Sequence, residues 1–195
     1  MWKIFSETDS GPYIFEGEYL KGKRNGKFKE YSIHGRLIFE GEYINDKRNG
    51  IGKEYYENGN LRYEREYLNN SRLKGKSYVN NKLEYEGEYL YDRKWSGKGY
   101  DENGNVIYEL VNGNGYIKVY AEFPDKDILI FEGEYLNDKR NGKGKEYLFD
   151  GKIKFEGEYL DGKKWNGKIK EYDSNGNIFF DGEYINGIKV SNKHK

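Results

Sequence analysis

No cysteine occurs in the 195 residues, which excludes a disulfide framework and a thiolate metal site. Histidine is nearly missing as well: only His34 and His194 are present, too few to build a histidine-based metal or catalytic cluster. No metal ligands, cofactor-binding residues or catalytic residues are expected, and the sequence offers no nucleophile and base pair. A surplus of one charge is lacking too, since 34 Lys+Arg stand against 34 Asp+Glu. That balance removes the overall attraction for nucleic acid, and none is expected as a partner. No stretch approaches the ~20 consecutive apolar residues of a membrane-spanning helix. The opening MWKIFSETDS has neither the basic start nor the apolar run of a signal peptide. The expectation is a soluble protein of the cytoplasm.

Aliphatic content is also modest. Hydrophobic residues make up 35% of the chain, charged residues another 35%, and the mean hydropathy is −1.12. These values border on those of chains that cannot bury enough apolar surface to offset their entropy. What is plentiful is aromatic: 21 Tyr, 10 Phe and 3 Trp make 17% of the residues. Rings of this number suit strands and distinguish the chain from disordered sequences, which are poor in them.

The rings are periodic. A hexapeptide recurs as FEGEYL from Phe15, FEGEYI from Phe39, YEREYL from Tyr63, YEGEYL from Tyr85, FEGEYL from Phe131 and Phe155, and FDGEYI from Phe180; a degenerate copy, YELVNG, starts at Tyr108. The start-to-start distances are 24, 24, 22, 23, 23, 24 and 25 residues, the fixed period of a repeat architecture. A basic linker and a Gly-Lys segment follow each hexapeptide, as in NDKRNGKGKEY at 137–147, and then a second turn signal such as YENGN or DSNGN. Asn-Gly and Asp-Gly supply the positive φ that tight hairpin turns require. Each repeat therefore reads as strand, loop, strand, turn. Glycine at every third or fourth position opposes a helix. The fold class predicted is all-β, a single-layer antiparallel array of about seven hairpin repeats forming an elongated twisted ribbon. It occupies residues 1–190, with a half repeat at 1–14 and a flexible tail at 191–195.

Alternation along a strand assigns the faces. In FEGEY the ring, glycine and tyrosine share one face and the two glutamates the other. In NGKGKEY, Lys143 and Lys145 share a face, so glutamates are expected to pair with lysines across strands while rings lie over glycines. Gly17, Gly41, Gly87, Gly133, Gly157 and Gly182 mark the seats where a Cβ would obstruct a ring. Strict alternation sets Tyr147 on the lysine face; a bulge after Lys145 would return it to the other rings.

The pattern aromatic-x-Gly-Glu-aromatic, a short loop and Asn-Gly-x-Gly resembles the MORN (membrane occupation and recognition nexus) repeat over nearly the whole chain, Phe15 to Ile188. The likeness is fullest in FEGEYLNDKRNGKGK, with Phe131, Gly133, Tyr135, Gly142 and Gly144 on the family outline. Tyrosine where the family often has tryptophan, and Asn25, Asn49, Asn141 and Asn166 where it often has histidine, mark a variant subclass. The resemblance implies a meander of hairpins serving as scaffold or adaptor, sometimes dimeric, with lipid binding attributed to some members and no catalysis. Similar variant repeats occur in some bacterial antitoxins, so an antitoxin-like or immunity-type binding protein is a further alternative.

Three groups of residues are candidates for contact. The basic linkers, with Lys23, Arg24, Lys47, Arg48, Arg93, Lys94, Lys139, Arg140, Lys163 and Lys164, fall on one edge of the ribbon and suit an anionic membrane or acidic protein. The competing account is a solvated loop, favoured because Asp46, Asp92, Asp138 and Asp161 sit among these cations. Trp95 and Trp165, each beside basic residues, either anchor a partner or fold back over the ribbon. The irregular fifth repeat, 106–130, carries Tyr116, Val119, Tyr120 and Phe123, either a recognition patch or simply core. A protein partner is the leading expectation, with homodimerisation through open strand edges a second.

Overall fold

The computed structural model describes the backbone of residues 2–8 and 11–191 and side chains from residue 14 onward; of the expected tail, residues 192–195 lie outside the described residues. Two compact units are present: Met1–Ile107 together with Pro124–Lys126, and Tyr108–Phe123 together with Asp127–Lys195.

Strands β1 (Trp2–Thr8), β2 (Gly11–Leu20), β3 (Lys23–Ser32), β4 (Leu37–Ile44), β5 (Lys47–Tyr55), β6 (Leu61–Leu68), β7 (Ser71–Val79), β8 (Lys82–Leu90) and β9 (Arg93–Tyr100) follow one another antiparallel, each paired with the next. The same meander is formed by β10 (Val106–Val111), β11 (Asn114–Glu122), β12 (Asp127–Leu136), β13 (Lys139–Tyr147), β14 (Ile153–Leu160), β15 (Lys163–Tyr172), β16 (Ile178–Ile185) and β17 (Ile188–Ser191). The architecture is all-β and single-layered within each unit, and the strand after each hexapeptide is its hairpin partner.

Two kinds of turn alternate. After each complete hexapeptide comes a two-residue turn with both residues at positive φ, for example Asn45 (50°) with Asp46 (67°); in the degenerate copy its own last two residues, Asn112 (52°) and Gly113 (74°), form the turn. This is the mirror-image turn whose twist matches paired strands, and it selects Asn, Asp and Gly. Successive turns are stitched through the backbone: Asp46 N donates to Arg24 O at 3.0 Å, and Gly162 N to Arg140 O at 2.9 Å. At the other margin Asn80 and Asn81 again form a two-residue turn, but most loops are longer, and several are closed by an acid. Asp101 Oδ1 accepts from the backbone N of Asn103 and of Asn105, both at 2.9 Å, and Asp173 repeats the arrangement.

Rings make the core. In the first unit, Phe15, Phe28, Phe39, Tyr43 and Tyr67 form one buried cluster; in the second, Leu110, Ile117, Phe131, Phe155, Tyr159 and Ile169 form another. The rings meet edge to face, as in Phe28–Tyr43 (5.3 Å), Phe39–Tyr67 (6.0 Å) and Phe155–Tyr159 (5.1 Å), the arrangement favoured by the aromatic quadrupole. They lie against glycine backbone. A Cβ on Gly144 would meet Phe131 Cε2 at 2.9 Å, and one on Gly41 would meet Phe39 Cζ at 2.7 Å. Gly17 is covered by Phe28, from the next strand, whereas Gly157 is crowded by the backbone of Asn166 and Gly167 with no ring among its nearest neighbours. Arg65, standing where other hexapeptides have glycine, is only 3% exposed and lays its guanidinium on Tyr63 at 3.3 Å and Tyr89 at 4.6 Å.

Candidate interaction surface

The two faces differ in what remains open to a partner. The ring face is lidded by the linkers. Because the turn takes two residues, Lys139 pairs with Leu136 and Arg140 with Tyr135, so the first linker cation points to the glutamate side and the second to the rings. The second cation sits nine positions after the ring it covers. Arg24 stands over Phe15 at 4.9 Å, Arg48 over Phe39 at 3.8 Å, Arg72 over Tyr63 at 5.7 Å and Lys94 over Tyr85 at 4.8 Å. In the second unit Arg140 covers Phe131 at 4.3 Å, Lys164 covers Phe155 at 5.2 Å and Lys189 covers Phe180 at 4.0 Å. These are cation–π distances.

A carboxylate completes each lid. Glu30 lies opposite both Phe15 and Phe39, and Glu54 opposite both Phe39 and Tyr63. Arg48 reaches Glu30 at 3.0 Å and Glu54 at 3.7 Å, while the hydroxyls of Tyr43 and Tyr67 donate to Glu30 and Glu54. Burial alone would raise the Glu54 carboxyl, but the charge of Arg48 and the Tyr67 hydroxyl outweigh it and hold the group below its ordinary value. In the second unit Glu146 pairs with Arg140 and with Lys164, the latter at 2.8 Å, and its carboxyl is likewise held low against its burial. The third repeat is shorter: Ser77 takes the glutamate's place and donates to Glu84 at 3.0 Å, which receives Lys94 at 2.6 Å.

Alternation sets Tyr147 on the lysine face, and only a bulge would return it to the rings. A register shift does fall between Glu146 and Tyr147, yet Tyr147 stays on the opposite side, donating to Glu132 at 2.6 Å. Tyr31 does the same to Glu16 at 3.1 Å, and Tyr55 to Glu40 at 2.6 Å. The residue that joins the rings is the glutamate before the tyrosine. Alternation therefore holds through the segment, and the carboxylate is tolerated inside because a cation and a hydroxyl meet it.

On the other face glutamates and lysines pair across strands, as in Lys29–Glu40 (3.9 Å), Lys76–Glu86 (3.5 Å) and Lys145–Glu156 (3.0 Å). Between these rows run shallow troughs floored by glycine backbone. The first unit has one of about 420 Å³ bordered by Lys27, Lys29, Glu40, Ile51 and Lys53, and one of about 370 Å³ bordered by Ile51, Glu64, Glu66, Lys74 and Glu86. The second unit has one of about 260 Å³ beside Tyr116, Glu132, Lys143 and Glu158. Burial and the nearby Glu132 carboxylate push the Tyr116 hydroxyl up to about 12.

The linker candidates are thus divided. Lys23, Lys47, Arg93, Lys139 and Lys163 are exposed; Arg24, Arg48, Lys94, Arg140 and Lys164 are drawn inward over rings. Turn acids meet neighbouring cations, Asp46 with Arg24 at 3.3 Å and Asp161 with Lys139 at 2.5 Å. Trp95 and Trp165 are half-buried, Trp165 packing its indole beside Gly187. Of the fifth-repeat residues, Val119 packs against the core, Tyr120 is half-buried, Phe123 meets the Phe149 ring at 5.3 Å, and Tyr116 borders the trough. One series escaped sequence reasoning. The sixth residue of every complete hexapeptide is aliphatic and exposed, namely Leu20, Ile44, Leu68 and Leu90 in the first unit and Leu136, Leu160 and Ile185 in the second. Its signal was in plain view, an invariant Leu or Ile on the glutamate side of each strand.

Comparison with known families settles the repeat. The family model described as MORN repeat matches residues 15–27, 39–61 and 131–153, each match opening on the first ring of a hexapeptide, and the MORN repeat variant matches 165–186. The chain carries MORN repeats. The variant match covers Trp165, Asn166 and the FDGEYI copy, so the array mixes both forms. MORN repeats often serve as scaffold or membrane-associated binding modules and are generally non-enzymatic. No curated protein matches the MORN array of this chain. Among the described residues, no group of three His, Asp or Glu side chains could hold a metal ion.

Proposed function

We propose that the chain is a non-catalytic scaffold that binds a protein partner through the Glu/Lys face. The observation that carries this reading is the closure of the opposite face: seven rings are covered by Arg or Lys, and the covering cations are engaged with carboxylates. The glutamate side by contrast offers troughs with aliphatic, aromatic and charged walls, the mixture on which interfaces form. The test is capture of cellular proteins by the immobilised chain at physiological salt, beside a chain carrying Glu40→Lys, Glu64→Lys and Glu86→Lys. Loss of a captured protein on reversal supports the reading, and undiminished capture rejects it.

A second reading, attachment to an anionic membrane, is favoured by the exposed Lys23, Lys47 and Lys163 at the turn margin. Flotation with anionic vesicles that fails as salt rises would support it, and indifference to lipid charge would remove it.

A further inference from the structure

The aliphatic row is not needed for the core. In the first unit Leu20, Ile44, Leu68 and Leu90 are 58, 49, 50 and 39% exposed, each just before a tight turn, where a polar residue would serve the strand as well. At one place the row thickens. Ile51, 66% exposed, lies directly across from Glu66 on the glutamate side, in the slot that sister hairpins fill with Lys27 and Lys143. It is a diagonal neighbour of Leu68, within side-chain reach. It also borders both troughs of the unit.

Charge decides what can sit there. The cross-strand partner of Leu20 is Lys23 and that of Ile44 is Lys47, both exposed. The turn acids that would offset them are already engaged: Asp46 with Arg24 at 3.3 Å and Asp92 with Arg72 at 3.8 Å. An anionic bilayer would find the one tryptophan among the described side chains of this unit, Trp95, half-buried.

We propose that the turn margin of the Glu/Lys face in the first unit docks an acidic segment bearing aliphatic side chains, anchored on Ile51 between Ile44 and Leu68, with Lys23 and Lys47 meeting its carboxylates. The proposal rests on the protein-binding reading and names the part of the face and the chemistry of the partner. A small exposed aliphatic cluster on a charged face, beside a trough, is the form an interface anchor takes.

The test is selection of a random peptide library on the intact immobilised chain, with Ile51→Lys and Lys47→Glu chains in parallel. Ile51→Lys restores the residue of the sister hairpins, so its thermal transition should match the unchanged chain. The result expected is enrichment of peptides combining Asp or Glu with Leu, Ile or Phe, bound roughly ten-fold more weakly by Ile51→Lys and weakened also by Lys47→Glu. Enrichment of basic peptides, no enrichment, or equal binding by Ile51→Lys overturns the proposal. Peptides that tolerate Ile51→Lys but are lost with Glu40→Lys and Glu64→Lys would leave the face a protein-binding surface and remove this margin from it. Two further arms read the other occupants, phosphatidylserine vesicles and sedimentation of the chain alone. Vesicle binding or self-association that is abolished by Ile51→Lys would assign the row to a membrane or to a second copy and overturn the proposal equally.

Discussion

The second and fifth repeats solve one problem in opposite ways. In the second, Arg48 covers Phe39, and buried Glu30 and half-buried Glu54 flank it, so the ring is closed by an ionic lid. In the fifth the linker is shorter: Val111 pairs directly with Asn114, leaving no residue in the arginine's place, and Val119 stands opposite Phe131, in the position that Glu30, Glu54, Glu146 and Glu171 hold elsewhere. Cation and carboxylate are lost together, and Ile117 and Val119 pack with the core in their stead. The lesson is that the two members of the lid are one element. Either alone would be a buried unpaired charge, whereas both or neither can be accommodated, since an apolar replacement of a whole buried pair is often neutral.

That comparison can be broken most severely at Arg48. Arg48→Ala would leave Glu30 and Glu54 without their shared cation and should cost about 3–5 kcal/mol, read by urea unfolding. Next comes Val119→Glu, which gives the fifth repeat half a lid. A loss of about 3 kcal/mol is expected at neutral pH, shrinking in acid as the new carboxyl takes a proton. Arg140→Ala should cost less, about 1–2 kcal/mol, because Lys164 remains on Glu146 at 2.8 Å. A result equal to that of Arg48→Ala would show that Lys164 does not share the load.

The smallest effects are those of pH. Glu54 and Glu146 are held below their ordinary values in the fold, so the unfolded chain takes up their protons first as the solution is acidified. Their contribution to stability is complete above the ordinary glutamate range near 4.3 and falls as pH drops through the lowered folded value. Tyr43, Tyr55 and Tyr67 are raised, chiefly by burial and then by Glu30, Glu40 and Glu54, so their contribution holds below ~10 and declines above it. Urea midpoints across pH should fall at both ends, and the acid limb should flatten in Arg48→Ala, where the fold no longer prefers the charged glutamate.

Much of this was legible in the residues. The recurring hexapeptide and the alternation of Asn-Gly turns with Gly-Lys strands specify hairpins, and the facing of Glu against Lys follows from the period of two. The lids were less so, because the linkers look like uniform basic loops until the turn is known to take two residues; counting back from Asn137 and Asp138 then sends Lys139 outward and Arg140 inward. Tyr147 was left between two placements for a different reason: alternation set it on the charged side while its ring suited the other rings, and Glu132, which gives its hydroxyl a partner, decides for alternation. The exposed Leu and Ile series went unread because hydrophobicity suggested core, and only the face assignment, followed to the sixth residue, shows them turned away from it.

Arg48 holds one acid from its own hairpin and one from the hairpin before, and the turn amide of Asp46 likewise reaches back to Arg24. Each repeat therefore carries a joint to its predecessor and a receptor for its successor within a single period. A gene encoding such a chain can lengthen or shorten by tandem duplication or loss of whole periods, with every new junction already provided for. A loss within the linker is accommodated in the fifth repeat because acid and base disappear together, and in the third repeat Ser77 and Glu84 stand in for the missing glutamate, so the array evolves in whole hairpins and in compensated substitutions.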